Sequence, residues 1–278
     1  MRRCAVIGSP IEHSMSPLLH RTAYRQLGIA DEFSYDRFEV TPSTLDTFLA
    51  GLGDEWIGLS VTAPNKQALL AHGMCDDVAT TLRSGNTIIF GHDGQPNQVH
   101  NTDVTGLLGA LTKKNITCLE HLALVGAGAT ARSALWAAAQ LGLDEVMVLA
   151  RDEQRARASL TGLAAALNVT IHHAPLSGPI ALPAGWERAD LLVSTIPATL
   201  PDALVSQLVG LSDAVFEVVY NNYPSAFDRA AIAAGIPHLD GFDLLVGQAI
   251  DQIRLMTGRD ADAEPLLELC RAEALRHS

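Results

Sequence analysis

Residues 121–142 read HLALVGAGATARSALWAAAQLG. Leu122–Val125 is an apolar run of strand length, and a helical pattern follows it to Gly142. Between them Gly126, Gly128 and Ala131 fit G-x-G-x-x-[GA]. Each position has a physical reason. Gly126 permits the tight turn, Gly128 puts no Cβ between backbone and pyrophosphate, and Ala131 lets helix and strand pack closely. Phosphates would rest on the helix N-terminus, where free N–H groups and the dipole favour negative charge. A glycine pattern alone is weak, and a tight βα turn without ligand remains open. Strand, turn, helix and a further strand at Glu145–Ala150 strengthen it. That strand runs into LARDEQRAR, residues 149–157. Arg151 stands where a dinucleotide fold usually places an acid for ribose hydroxyls, with Arg155 and Arg157 nearby. A guanidinium suits a 2′-phosphate, which favours NADP(H) as cofactor, whereas Asp152 leaves NAD open.

Working outward, short apolar runs alternate with helical patterns. Strands are expected in RCAVIG, SYDRFEV and WIGLSVT, then LALVG, EVMVLA, TIHHAPL, DLLVSTI and AVFEVVY. Strands separated by helices predict an α/β protein with parallel, doubly wound sheets. One interval breaks the alternation. Residues 86–103, NTIIFGHDGQPNQVHNTD, read as a hairpin turning near Asp93-Gly94. A helix is expected from Asp103, and a domain boundary there. The expected division is a first domain over 1–103 and a Rossmann-type dinucleotide domain over 104–237. Two terminal helices, within 238–278, would return to complete the first domain.

Hydrophobic residues make up 48% of the 278, and the formal net charge is −12. A core of ordinary size is available, and the acidic balance argues against nucleic-acid binding. Cys4, Cys75, Cys118 and Cys270 show no metal-ligand spacing, and no metal is expected. No stretch approaches the ~18 consecutive apolar residues of a membrane span. The apolar run behind Arg2-Arg3 is too short for a secretory signal. The expectation is a cytoplasmic protein without a membrane partner.

Three segments carry candidate chemistry. GSPIEHSMSPLLHR, residues 8–21, leaves a strand with more polar groups than a loop needs. Ser16 reads as a helix N-cap with Pro17 at the first helical position. In GLSVTAPNKQALLAHG, residues 58–73, Pro64 suits a helix start, so Lys66 is expected in the first turn. A cation there opposes the dipole, which would suit a general acid, against the plain reading of a surface lysine. Asp103 in HNTDVTGLLGAL starts a helix, where structural capping competes with a functional role.

Together these segments resemble the shikimate dehydrogenase family, in family order from Val6 to Ala249. VIGSPIEHSMSPLLH is similar to its N-terminal signature, in which two serines hold a substrate carboxylate; here those are Ser14 and Ser16. SVTAPNK is similar to its Asn-Val-Thr-x-Pro-x-Lys segment, which implies a catalytic role for Lys66, paired with Asp103. The resemblance further implies substrate contacts from Ser60, Thr62, Asn86, Tyr220 and Gln248. It implies cofactor contacts from Gly126, Gly128, Ala129, Thr130, Ala131, Arg151, Arg155, Thr195 and Gly241. The implied activity is reversible NADP-dependent reduction of 3-dehydroshikimate to shikimate, in a cleft, by a monomer or homodimer. An NAD-dependent quinate/shikimate dehydrogenase and a non-catalytic shikimate sensor are the alternatives. Departures are plain. Ser60 replaces the usual Asn, and an Asn at that position is expected to be tolerated if the pocket keeps the family shape. Leu244 replaces a frequent Met, and of the usual Asn-Arg-Thr clamp only Arg151 is kept.

Overall fold

The computed structural model describes residues 1–276. By contact density the chain divides into two units. The first comprises Met1–Gly106 and Leu245–Cys270; the second comprises Leu107–Leu244 and the residues from Arg271.

The first unit runs β1 (Arg2–Gly8), α1 (Ser16–Gln26), β2 (Phe33–Glu39), α2 (Leu45–Ala50) and β3 (Trp56–Val61). A short 3₁₀ turn (Ala68–His72) leads to β4 (Met74–Cys75), α3 (Asp77–Leu82), β5 (Thr87–Ile89), β6 (Gln98–His100) and the first turn of α4 (Asp103–Lys113), whose residues from Leu107 are counted with the second unit. Its sheet has the order β2-β1-β3-β5-β6-β4. β1 is parallel to β2 and β3, whereas β5 is antiparallel to both β3 and β6. The hairpin turns where expected, with Asp93 and Gly94 both at positive φ. Its consequence is positional. Reversing β5 brings the start of β5 and the end of β6 to the sheet edge where β1 and β3 end. Ser60 therefore lies beside Thr87, and Thr87 beside His100. Ile7, Leu59, Val61, Ile88 and Val99 are buried together beneath that edge.

The second unit runs β7 (His121–Val125), α5 (Ala129–Gln140), β8 (Glu145–Ala150), α6 (Glu153–Ala166) and β9 (Thr170–Pro175). It continues with β10 (Leu191–Ser194), α7 (Asp202–Gly210), β11 (Val215–Glu217), α8 (Ala226–Ala234) and β12 (His238–Leu239). Its sheet is parallel throughout, in the order β12-β11-β10-β7-β8-β9. The strand order reverses between β7 and β10, which sets Val125 beside Ser194. Ligands of open α/β sheets bind at such switch points. Val125, Leu149, Leu192, Val215 and Phe227 belong to one core.

The chain ends in α9 (Gly241–Thr257) and α10 (Ala263–Arg276). Within the first unit α9 crosses α4 at two glycines. A Cβ on Gly106 would stand 2.6 Å from the Gln248 nitrogen, and one on Gly247 would stand 2.8 Å from the Gly106 oxygen. The crossing thus depends on two absent side chains, and it brings the buried face of α9 against the start of α4.

One buried acid stands apart from this scheme. Glu217, at the end of β11, is 5% exposed and accepts a hydrogen bond from the Val219 N–H at 3.0 Å. Burial pushes its carboxyl up to about 7, against the pull of its hydrogen bonds. A carboxyl raised in the folded state contributes stability that is complete below its unfolded range and lost as pH rises through its folded value. Wild-type protein should therefore lose melting temperature between about pH 5 and about pH 8 more steeply than Glu217→Gln. Parallel calorimetric pH profiles for the two proteins would contradict this.

Candidate active site

Lys66 lies where β3 gives way to a turn. The helix expected from Pro64 does not form: residues 63–67 make turns, and the 3₁₀ segment begins at Ala68. No helix dipole opposes Lys66. It faces a carboxylate instead, with Nζ 2.5 Å from Asp103 Oδ2. The Lys66 side chain is 17% exposed and that of Asp103 7%. In such surroundings each charge requires the other.

Asp103 does not cap its own helix. Asn101 Oδ1 accepts from the Asp103 N–H at 3.1 Å, which frees the carboxylate for Lys66 and Asn86. Asn86 Nδ2 donates to Asp103 Oδ1 at 2.8 Å, while Asn86 Oδ1 accepts from the Thr102 N–H at 2.8 Å. The loop before Asp103 is pinned from below, where Asp76 Oδ2 accepts from the Asn101 N–H at 3.3 Å and lies 3.2 Å from His100 Nδ1. None of these supporting contacts was legible in the sequence.

Ser16 is not an N-cap either. Met15 occupies that place without a side-chain bond, and α1 begins at Ser16 with Pro17 in its first positions. The Ser14 hydroxyl accepts a long bond, 3.4 Å, from the Ser16 N–H. No acid sits in the first turn. Two hydroxyls at an uncapped helix start are suited to a carboxylate ligand. Thr62 follows β3 and is half-buried; its backbone N–H donates to the Ile7 oxygen at 2.9 Å.

Ser60 is buried and engaged on both sides. Its hydroxyl accepts from Tyr35 Oη at 2.6 Å and donates to Gln252 Oε1 at 2.6 Å. One acceptor lone pair is left. Gln248, one turn earlier on α9, donates through Nε2 to the Leu245 oxygen at 2.8 Å. His20 stacks on Tyr35 with ring centroids 3.9 Å apart. Burial lowers its pKa to about 3, so it is no proton carrier near neutrality. Tyr35, Gln252 and His20 escaped the sequence reading. The one available signal was the i, i+4 spacing of Gln248 and Gln252, which sets both on one helix face.

The remaining candidates belong to the second unit. Gly126 has φ +107, and a Cβ there would stand 2.3 Å from Thr195 Oγ1. Thr195 itself donates to the Val125 oxygen at 2.9 Å, forming a wall behind the turn. Gly128 is the N-cap of α5 and faces open space; no side chain caps the helix and no acid occupies its first turn. Ala129 is exposed, Thr130 half-buried, and Ala131 fully buried beneath the loop. These residues fit a dinucleotide pyrophosphate. The same unit holds a cavity of about 660 Å³ lined in part by Arg151, Ser177, Pro179 and Thr199. Arg151 and Arg155 are exposed. Asp152 is committed to α6 as its N-cap, accepting from the Arg155 N–H at 2.9 Å. Tyr220 packs against Phe242 at 5.4 Å. Gly241 meets the Val219–Tyr220 backbone, where a Cβ would lie 2.7 Å from the Tyr220 nitrogen. Both stand in the dinucleotide-type unit, Gly241 for a packing reason.

Fold and site together are those of a dinucleotide-dependent α/β oxidoreductase. A family model described as the shikimate dehydrogenase substrate binding domain matches residues 6–88. The chain is 32% identical over 273 residues to the shikimate dehydrogenase (NADP(+)) of Halobacterium salinarum, spanning 96% of this chain and 97% of that one. A shikimate 5-dehydrogenase structure from Mycobacterium fortuitum superposes with a TM-score of 0.85 at 35% identity over 97% of each chain. The Thermus thermophilus enzyme, solved in complex with NADP(H) and shikimate, gives 0.81 at 29% identity, covering 99% of this chain and 100% of that one. The chain belongs to the shikimate dehydrogenase family.

The packing revises the expectation for Ser60→Asn. Ser60 Oγ has a neighbour at 2.6 Å on each side, so a longer amide would have to displace Tyr35 Oη or the Gln252 amide. Ser60→Asn should lower stability by about 1–3 kcal/mol, as overpacked cores do. Denaturant unfolding measures this; a variant as stable as wild type would show that Tyr35 and Gln252 do not confine the residue.

Proposed function

We propose that the protein catalyses reversible NADP-dependent reduction of 3-dehydroshikimate to shikimate. The observation that carries this reading is the part-buried Lys66–Asp103 pair at the edge where β1, β3 and β6 end. Its ammonium is a proton-donating group suited to a developing oxyanion, and family membership supplies the substrate class.

The units divide the labour. The first, with Ser14, Ser16, Ser60, Thr62, Asn86 and Gln248, holds the substrate. Ser14 and Ser16 take the carboxylate, aided by the α1 N-terminus. The dinucleotide is held by Gly126, Gly128, Ala129, Thr130 and Ala131 at the start of α5, with Arg151 and Arg155 on the 2′-phosphate and Thr195 and Gly241 shaping the loops behind. When bound, it supplies or accepts the hydride. Lys66 Nζ donates a proton to the oxygen as negative charge builds there, and takes one back in the reverse direction. Asp103 holds the ammonium in place and keeps a lone pair available for a substrate hydroxyl. Capping of α6 occupies Asp152, which supports a 2′-phosphate over a free ribose. No helix among the described residues is long and apolar enough to cross a membrane. The chain is proposed to work in the cytoplasm, as a monomer or homodimer, on small-molecule partners alone.

Steady-state assays with NADP⁺ and NAD⁺, each against shikimate and quinate, test the reading. Shikimate with NADP⁺ should give the highest kcat/KM. Arg151→Ala should raise the KM for NADP⁺ by about tenfold or more with kcat little changed, because the 2′-phosphate is remote from the reacting carbon. Equal use of both cofactors by the wild type, or turnover of quinate alone, would overturn it.

A further inference from the structure

The hydrogen bonds around Ser60 continue well past it. Gln252 Nε2 donates to Thr87 Oγ1 at 3.0 Å and to the Asn86 carbonyl oxygen at 3.3 Å. Thr87 Oγ1 donates to Asn86 Oδ1 at 3.0 Å. Asn86 then reaches Asp103, and Asp103 reaches Lys66. Tyr35, Ser60, Gln252, Thr87, Asn86 and Asp103 are each 5% exposed or less, so water does not satisfy these groups.

Two backbone groups fix the direction of the whole chain. The Asn86 carbonyl only accepts, so the Gln252 atom beside it is the amide nitrogen, and Gln252 Oε1 faces Ser60. Ser60 must therefore give its single proton to Gln252, and Tyr35 must give its own to Ser60. Burial raises the Tyr35 phenol, which keeps that proton in place. At the other end the Thr102 N–H only donates, so the Asn86 atom it meets is the oxygen, and Asn86 Nδ2 faces Asp103. Every donor then points the same way, from Tyr35 through Ser60, Gln252, Thr87 and Asn86 to the Asp103 carboxylate. Such a chain polarises cooperatively toward its anion.

We propose that Gln252 is a positioning residue for the Lys66–Asp103 pair, acting through Thr87 and Asn86. A hydroxyl rotor has several directions open to it. By occupying a Thr87 lone pair, Gln252 turns the Thr87 proton onto Asn86 Oδ1. That bond, with the Thr102 N–H, holds the Asn86 amide so that its nitrogen faces Asp103. Gln252 thus sets the aim of a carboxylate it does not touch, and it reaches from α9 to do so. The inference deepens the proposed function and rests on it for the kinetic arm of the test alone.

The test pairs Gln252→Met, which keeps volume and loses all three hydrogen bonds of the amide, with Thr87→Val, an isosteric break at the next link. Shikimate oxidation by NADP⁺ and residue-resolved amide exchange are measured for each, for the double variant and for wild type. Each single variant should lower kcat by about tenfold with shikimate KM within about threefold, and the double should be no worse than the poorer single, because one chain is severed once. The Thr102 amide should exchange about tenfold faster relative to the β1 amides, since its acceptor is no longer held. Unchanged kcat and Thr102 exchange, with only a lower melting temperature, would reduce Gln252 to a packing role, and multiplying kcat losses would break the chain into independent contacts. Should wild type fail to oxidise shikimate, the reading of function falls while the exchange arm still decides the inference.

Discussion

A lysine and an aspartate shielded from water must stay together, and much of the first unit follows from that. Separating either charge from its partner in such a place costs about 3–5 kcal/mol. Asn86 immediately precedes the reversed strand β5, Asp103 opens α4 just after β6, and the turn after β3 supplies Lys66, all at one sheet edge. Asn101 relieves Asp103 of capping duty, and the Gly106–Gly247 crossing lets α9 close over the start of α4. These features make sense as the housing of one ion pair.

The second unit solves a different problem. A chain of formal net charge −12 has to bind an anionic dinucleotide, so positive potential must be local. In the proposed function the uncapped start of α5 supplies part of it through backbone N–H groups, and Arg151 and Arg155 supply the rest. Asp152, the acid that would work against them, is turned onto its own helix.

What the sequence revealed and what it hid divide along physical lines. The glycine loop and the hairpin turn were legible because each is fixed by a few neighbouring residues with special backbone demands. β4 and β12 went unseen, because two residues carry no periodicity. The helix starts at Ser16 and Lys66 were misjudged because proline and serine are compatible with several turn geometries. Asp103 looked like a cap until Asn101 proved to be one. The Ser60–Gln252 bond joins residues 192 apart in the chain, a pairing that only the packing of α9 reveals. Pattern reading named groups suited to chemistry, Asn86 among them, but not Tyr35, Gln252 or Asn101, which bond to their neighbours.

The central claim is that Lys66 and Asp103 act as one unit in proton transfer. A double-mutant cycle in kcat for shikimate oxidation, using Lys66→Met, Asp103→Asn and the double variant, measures it directly. Groups that act together lose their effect together, so the double variant should be about as slow as the poorer single, each being about 10²–10⁴ below wild type. Losses that multiply in the double variant, or a Lys66→Met protein with near wild-type kcat, would contradict the account.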